Sequence, residues 1–282
     1  MMNFGSKKTE GKGSHRARVT PASVIAVASG KGGVGKTWLS TTLAASFARM
    51  GRRTLLVDGD LGLANVDVQL GIAPETDLAA VIAGWVELED AVCKVNGGAG
   101  SEIGFDVLPG RSGSGALAGL PAEEASRLAA SLTALSMQYD TVLVDLGAGI
   151  EDNVMRLARA CDRCVIVAND EPTSMTDAYA FIKVLRGYAP SVQPWIAVNM
   201  ADTRVAGRRT YEALARASQT FLGFRPPLAG IILRDLKVRE AIRQQKTIVA
   251  IDPQAQAALD AQQIAEALIR GGAEGMIEAK SA

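Results

Sequence analysis

The chain has 282 residues, 48% of them hydrophobic and 21% charged, enough for the core of one large α/β domain. Its 30 Lys and Arg balance 30 Asp and Glu, so bulk charge marks neither a nucleic-acid binder nor a membrane-surface protein, and such contacts would need a local patch. No apolar run reaches the ~20 residues that span a bilayer, and three cysteines make no disulfide framework, so the cytoplasm is the expected compartment.

Residues 1–20 read as an N-terminal tail without the apolar stretch of a signal peptide, carrying Lys7, Lys8, Lys12, Arg16 and Arg18 against Glu10. It is either a solvated arm or an arm that touches a partner, an anionic lipid surface or DNA. The main domain is expected over 21–253. Strands are predicted at Ser23–Ser29, Thr54–Asp58, Phe105–Leu108, Thr141–Leu146, Cys164–Ala168, Pro194–Asn199 and Leu228–Leu233. Most are near-continuous Val, Ile and Leu, the composition of parallel strands covered on both faces. Helical patterns at Thr37–Met50, Pro121–Tyr139, Thr173–Gly187 and Arg208–Leu222 lie between them. This alternation predicts an α/β fold, a mostly parallel twisted sheet flanked by helices on both faces. Residues 254–282 read as a C-terminal helix and tail.

Between the first strand and the first helix runs Ser29-Gly-Lys-Gly-Gly-Val-Gly-Lys-Thr37. Gly30, Gly32, Gly33 and Gly35, with Val34 between the last two, let backbone N–H groups converge on phosphate oxygens at a helix N-terminus. Lys36 is placed to reach the β- and γ-phosphates and the Thr37 hydroxyl to ligate Mg²⁺. Asp58 and Asp60 leave the second strand at its carboxyl end, where open α/β sheets bind ligands, although acids there also serve as helix caps. Asp145 ends a Val-Leu-Val strand that runs into Gly147-Ala-Gly149. It is the residue expected to hold Mg²⁺ through water, with Gly147 letting the backbone approach the γ-phosphate.

With Lys31 early in the loop, Lys-Gly-Gly-Val-Gly-Lys-Thr resembles the deviant Walker A loop of the MinD/ParA family of P-loop ATPases. The resemblance covers about Ser23 to Ile251. It implies ATP as cofactor with Mg²⁺, an ATP-dependent homodimer, and slow hydrolysis that a protein partner stimulates. By the same resemblance Lys31 crosses to the partner's nucleotide, Asp60 positions the attacking water, Asp58 supports the metal site, Asn65 lies near the dimer interface and Asn199 reads adenine. Trp38 departs from the pattern: the family often has Thr or Ser here to contact the α-phosphate, and the indole removes that hydroxyl while the backbone N–H remains.

Three segments resemble the FlhG (FleN/YlxH) branch: Asn169-Asp-Glu-Pro-Thr-Ser-Met-Thr-Asp-Ala-Tyr179, Phe105-Asp-Val-Leu-Pro-Gly-Arg-Ser-Gly113 and Arg234-Asp-Leu-Lys-Val-Arg-Glu-Ala-Ile-Arg243. That implies a dimerisation switch regulating flagellar number or placement. The alternative is a MinD- or ParA-like positioning ATPase for the division site, chromosome or another cargo. The N-terminal element by which FlhG proteins stimulate a partner GTPase is not visible.

Weaker signals remain open. Cys161-Asp-Arg-Cys164 is either core packing or a metal or redox site, which would make the chain a reductase or metal carrier on the same loop. Loss of the hydroxyl at position 38 would also suit a nucleotide-binding scaffold without turnover. Arg234, Lys237, Arg239, Arg243 and Lys246 form either a solvated face or a non-specific DNA surface. The C-terminal segment is Ala-rich and acidic, with a modest stripe of Leu259, Ile264, Leu268 and Ile269. It is expected to dock on its own domain, with membrane attachment as the alternative. His15, the sole histidine, lies in the tail.

Overall fold

The computed structural model describes residues 23–60, 62–96, 104–110 and 121–278. The N-terminal tail, and Arg111, Ser112 and Gly113 of the second branch segment, lie outside them. In chain order the elements are β1 (Ser23–Ser29), α1 (Lys36–Arg49), β2 (Thr54–Gly59), α2 (Val66–Leu70) and α3 (Leu78–Ile82). A 3₁₀ turn at Glu89–Ala91 leads to β3 (Cys93–Asn96), β4 (Gly104–Leu108), α4 (Ala122–Ser136), β5 (Thr141–Ala148) and α5 (Asp152–Arg159). Then come β6 (Arg163–Ala168), α6 (Pro172–Tyr188), β7 (Gln193–Ala201), α7 (Arg204–Leu222) and β8 (Leu228–Leu233). The last three are α8 (Leu236–Arg243), α9 (Ile248–Ile251) and α10 (Gln256–Glu278).

The strands form one sheet in the order β3-β4-β2-β5-β1-β6-β7-β8. Every neighbouring pair is parallel except β3 with β4. All seven predicted strands are present. The unpredicted β3, Cys-Lys-Val-Asn, is a four-residue antiparallel edge whose side chains alternate between half-buried and exposed. It lacks the continuous apolar run that betrays the central strands, and its short charged edge discourages pairing with another chain.

Period-2 alternation divides each strand between two apolar layers. Ala26, Ala28, Leu55, Val57, Val142 and Val144 face a layer that includes Leu132 of α4, Leu157 of α5 and Phe181 of α6. Ile25, Val27, Leu56 and Leu143 face the other, with Leu39, Leu43 and Phe47 of α1 and Ile264 and Leu268 of α10. Helices therefore cover both faces, as the sequence pattern predicts. The first part of α10 shares this core. Ala257, Ala261, Ile264, Ala265 and Leu268 are buried, and Arg163, itself buried on β6, donates from Nη1 to the Leu268 carbonyl at 2.7 Å. Of the predicted stripe, Ile264 and Leu268 point inward and Ile269 outward. No helix among the described residues is long and apolar enough to cross a membrane.

Candidate nucleotide site

The carboxyl ends of β1, β2, β5, β7 and β8 open onto a cleft of about 910 Å³, the position where parallel α/β sheets bind ligands. Its floor is the Gly-rich turn between β1 and α1. Two close approaches show why glycine is needed there. A Cβ on Gly30 would lie 2.2 Å from the Asp177 backbone of α6. Gly35 has φ +87° and would press a Cβ to 2.3 Å from Asn199 Nδ2. Gly32, Gly33, Gly35, Lys36, Thr37 and Trp38 all line the cleft. Ser29 Oγ donates to the Lys31 carbonyl at 2.8 Å, which closes the turn.

Behind the loop lies a buried acidic pair. Asp58 and Asp145 stand opposite each other in the β2–β5 register, each 1% exposed. Lys36 Nζ donates to Asp145 Oδ1 at 3.3 Å, and Ser40 Oγ, one turn into α1, donates to the same oxygen at 2.8 Å. Asp58 faces the other way. It accepts the backbone N–H groups of Asp60 at 3.3 Å, Asn65 at 3.0 Å and Val66 at 2.9 Å, so its carboxylate holds the loop between β2 and α2. Burial, and then the neighbouring charge of Asp145, push Asp58 up to about 7 against those three bonds. Asp60 reaches the cleft wall, accepts Leu63 N at 3.0 Å, and lies beside the loop after β5, where a Cβ on Gly147 would be 3.3 Å from its Oδ1.

At the far end Asn199 is buried, its Nδ2 donating to the Val34 carbonyl at 2.8 Å and its Oδ1 accepting Met200 N at 2.9 Å. This ties the end of β7 to the phosphate loop, and Met200 takes a left-handed φ of +57° beside it. Leu233, Arg234, Asp235 and Leu236 complete that end. Trp38 is 5% exposed, in the same apolar layer as Leu39, Val66 and Leu70, and its Nε1 has no hydrogen-bond partner among the described residues. Asn65, by contrast, is exposed at the N-terminal boundary of α2, where its side chain makes no capping bond and its Nδ2 donates to the Leu63 carbonyl at 2.5 Å. Lys31 lies at the rim, where its Nζ donates to Glu171 Oε2 at 2.7 Å and Thr173 Oγ1 at 3.0 Å.

The donor set suits Mg²⁺. The Thr37 hydroxyl and, through water, the Asp145 carboxylate would offer it hard oxygens beside the Gly-rich turn. No group of three or more His, Cys, Asp or Glu among the described residues could hold a metal by itself, so phosphate oxygens would complete the shell, as is usual for this ion. Ser40, Glu171 and Thr173 are functional candidates that motif spacing does not assign, because their partners lie 105 to 142 residues away. Arg234, just before α8, pairs with Asp202 at 3.0 Å, and Lys237 on α8 pairs with Asp252, so part of the basic run from Arg234 to Lys246 is internally compensated.

The domain family described as CobQ/CobB/MinD/ParA nucleotide binding domain matches residues 25–249, from β1 into α9. The chain belongs to this family. Within the CobQ/CobB/MinD/ParA group it is similar to antiactivator FleN of Pseudomonas aeruginosa, 38% identical over 246 residues, 87% of this chain and 86% of that protein. It is similar also to flagellum site-determining protein YlxH of Helicobacter pylori, 30% identical over 255 residues, 90% of this chain and 84% of that protein. Among solved structures, septum site-determining protein MinD of Pyrococcus horikoshii, complexed with Mg-ADP, aligns with a TM-score of 0.70 at 25% identity, covering 88% of this chain and 96% of that one. The MinD/ParA resemblance, its flagellar branch and the fold expected from the sequence are thus borne out.

Proposed function

We propose that this protein is an ATP-hydrolysing dimerisation switch of the MinD/ParA type that regulates flagellar number or placement. The observation that carries the reading is the position of Lys31 at the rim of a phosphate-loop cleft, in a chain 38% identical to FleN. The second flagellar relative favours this target over a division-site or chromosomal one.

In this reading the backbone of Gly30 to Thr37 and the Lys36 ammonium hold the phosphates, while Asn199 and the Leu233–Asp235 segment receive the base. Thr37 and, through water, Asp145 would hold Mg²⁺, which when bound would neutralise phosphate charge. Asp58 supports that site by holding the loop that carries Asp60, and Asp60 orients the attacking water. Little covalent chemistry is asked of the protein, so its contribution is positioning and charge stabilisation. Lys31 serves the nucleotide of a second copy, which makes hydrolysis depend on dimerisation and on a protein partner that promotes it. Burial of α10 through Leu268 supports docking on its own domain over attachment to a membrane through that stretch.

The test is a fluorescent fusion of Asp60→Ala in the native cell, where blocked hydrolysis holds the dimer at its target. Polar signal with altered flagellar number is expected. Signal over the nucleoid or at mid-cell would replace this reading with a cargo- or division-positioning one.

A further inference from the structure

The base end of the cleft is fixed from behind by α10. Asp260, on that helix and 1% exposed, accepts three hydrogen bonds. Leu233 N donates to Oδ2 at 2.8 Å, Gln256 Nε2 donates to Oδ1 at 2.8 Å, and the Arg204 guanidinium donates to the same Oδ1. Arg204 opens α7 and also donates to the Ile231 carbonyl. On the preceding turn of α10, Ala257 N donates to Asp235 Oδ2 at 3.2 Å, while Asp235 Oδ1 accepts Lys237 N at 2.9 Å.

The backbone from Ile231 to Asp235 is thus held by α7 and α10 together, and its other side, at Leu233, Arg234 and Asp235, lines the cleft. The packing leaves this segment little room to shift. A Cβ on Gly207 of α7 would meet Ile231 Cγ2 at 2.4 Å, and one on Gly230 would meet Ile264 of α10 at 2.5 Å. An ion pair whose arginine is partly exposed adds little stability. What Asp260 supplies instead is geometry, since its carboxylate grips a strand-end amide as well as a guanidinium.

We propose that Asp260, paired with Arg204, is a positioning residue for nucleotide recognition that sets the Leu233–Asp235 backbone against which the base of the nucleotide binds. The proposal rests on the reading that the Asn199 end of the cleft receives the base. It makes α10 part of the nucleotide site. A partner that displaces this helix would weaken base binding without touching the phosphate loop.

The test compares calorimetric affinities of the full chain for Mg-ADP and for Mg-pyrophosphate, which lacks the base, in wild type, Asp260→Asn, Arg204→Met and Arg204→Lys. Asp260→Asn and Arg204→Met should weaken ADP binding roughly tenfold and leave pyrophosphate within about twofold, a loss on the scale of one charge-assisted hydrogen bond. Arg204→Lys should recover part of the ADP affinity, and kcat at saturating ATP should stay near wild type while KM rises. Equal weakening of both ligands, or of neither, would overturn the proposal. Equal affinity of wild type for ADP and pyrophosphate would remove the base-end reading itself, an outcome visible without any variant. If Asp260→Asn does not fold, Arg204→Met carries the test, because the Arg204 side chain is 43% exposed.

Discussion

Lys31 Nζ donates to Glu171 Oε2 at 2.7 Å, joining the phosphate loop to the start of α6 across 140 residues of chain. Thr173 Oγ1 accepts from the same ammonium at 3.0 Å, and Asn169 Nδ2 steadies Glu171 from its other oxygen at 3.1 Å. The bond to Lys31, helped by Asn169, holds the Glu171 carboxyl below its usual range.

That ion pair is solvent-exposed, so its weight in stability is small and its meaning lies in where it puts the lysine. Glu171→Gln should therefore shift the melting temperature by no more than about 1–2 °C. Lys31→Ala should leave Mg-ADP affinity within about twofold, one lysine being lost at the rim while the loop backbone and Lys36 remain. Introduced into the Asp60→Ala background, it should abolish the ATP-dependent doubling of mass in light scattering. A Lys31→Ala protein that still doubles in mass with ATP would remove the interchain role of this residue.

Asp58 gives a pH dependence whose sign follows from its raised value of about 7. The folded protein keeps a proton there that the unfolded chain releases near 4. Its contribution is therefore full below about pH 4, declines as pH rises towards about 7, and is flat above. Asp58→Asn deletes this slope, although a single amide oxygen serves the three loop N–H groups less well. Urea unfolding at about pH 4.5 and 7.5 should show the variant gaining on wild type at the higher pH; parallel behaviour would contradict the assigned burial of the charge.

Strand patterning made most of the sheet legible, because Leu55-Leu-Val and Val142-Leu-Val are buried on both faces and read as continuous apolar runs. β3 escaped because an exposed four-residue edge has no such run, and the five-residue α2 and α3 are too short for helical periodicity to register. The phosphate loop, Asp58, Asp60 and Asp145 are legible as candidates because they lie at or near strand ends in motif context, and Asn199 through the family resemblance. What the sequence could not disclose was pairing at long range. Nothing local says that Lys31 meets Glu171, that Ser40 points at Asp145, or that Asp260 grips the end of β8. These contacts exist only once β1, β5 and β6 lie side by side and α10 returns across the sheet.

Ser40 tests how much Asp145 depends on that long-range order. Its hydroxyl donates to Asp145 Oδ1 at 2.8 Å in a place from which water is excluded. Ser40→Ala leaves that oxygen with the 3.3 Å contact from Lys36, and should cost about 1–2 kcal/mol in unfolding free energy, the range for a buried group short of one partner. Because the same carboxylate is proposed to hold Mg²⁺, the Mg²⁺ concentration for half-maximal ATPase should rise several-fold. A stability loss with an unchanged Mg²⁺ titration would make Ser40 a packing residue alone.

The Cys-x-x-Cys pair has a different fate from a metal or redox site. Cys161 and Cys164 are buried, at the end of α5 and on β6, and Cys161 Sγ donates to the Leu157 carbonyl at 3.5 Å. Burial pushes both thiols upward, Cys164 well above its ordinary value, with Asp162 and the neighbouring thiol adding to the effect. A thiol held protonated is a poor nucleophile and a poor metal ligand. With native protein at about pH 8, a maleimide or a disulfide reagent should modify half-buried Cys93 first, while Cys161 and Cys164 react only after denaturation. Rapid native labelling of Cys161 or Cys164, or co-purifying iron or zinc lost on Cys161→Ser, would bring back the metal-carrier reading.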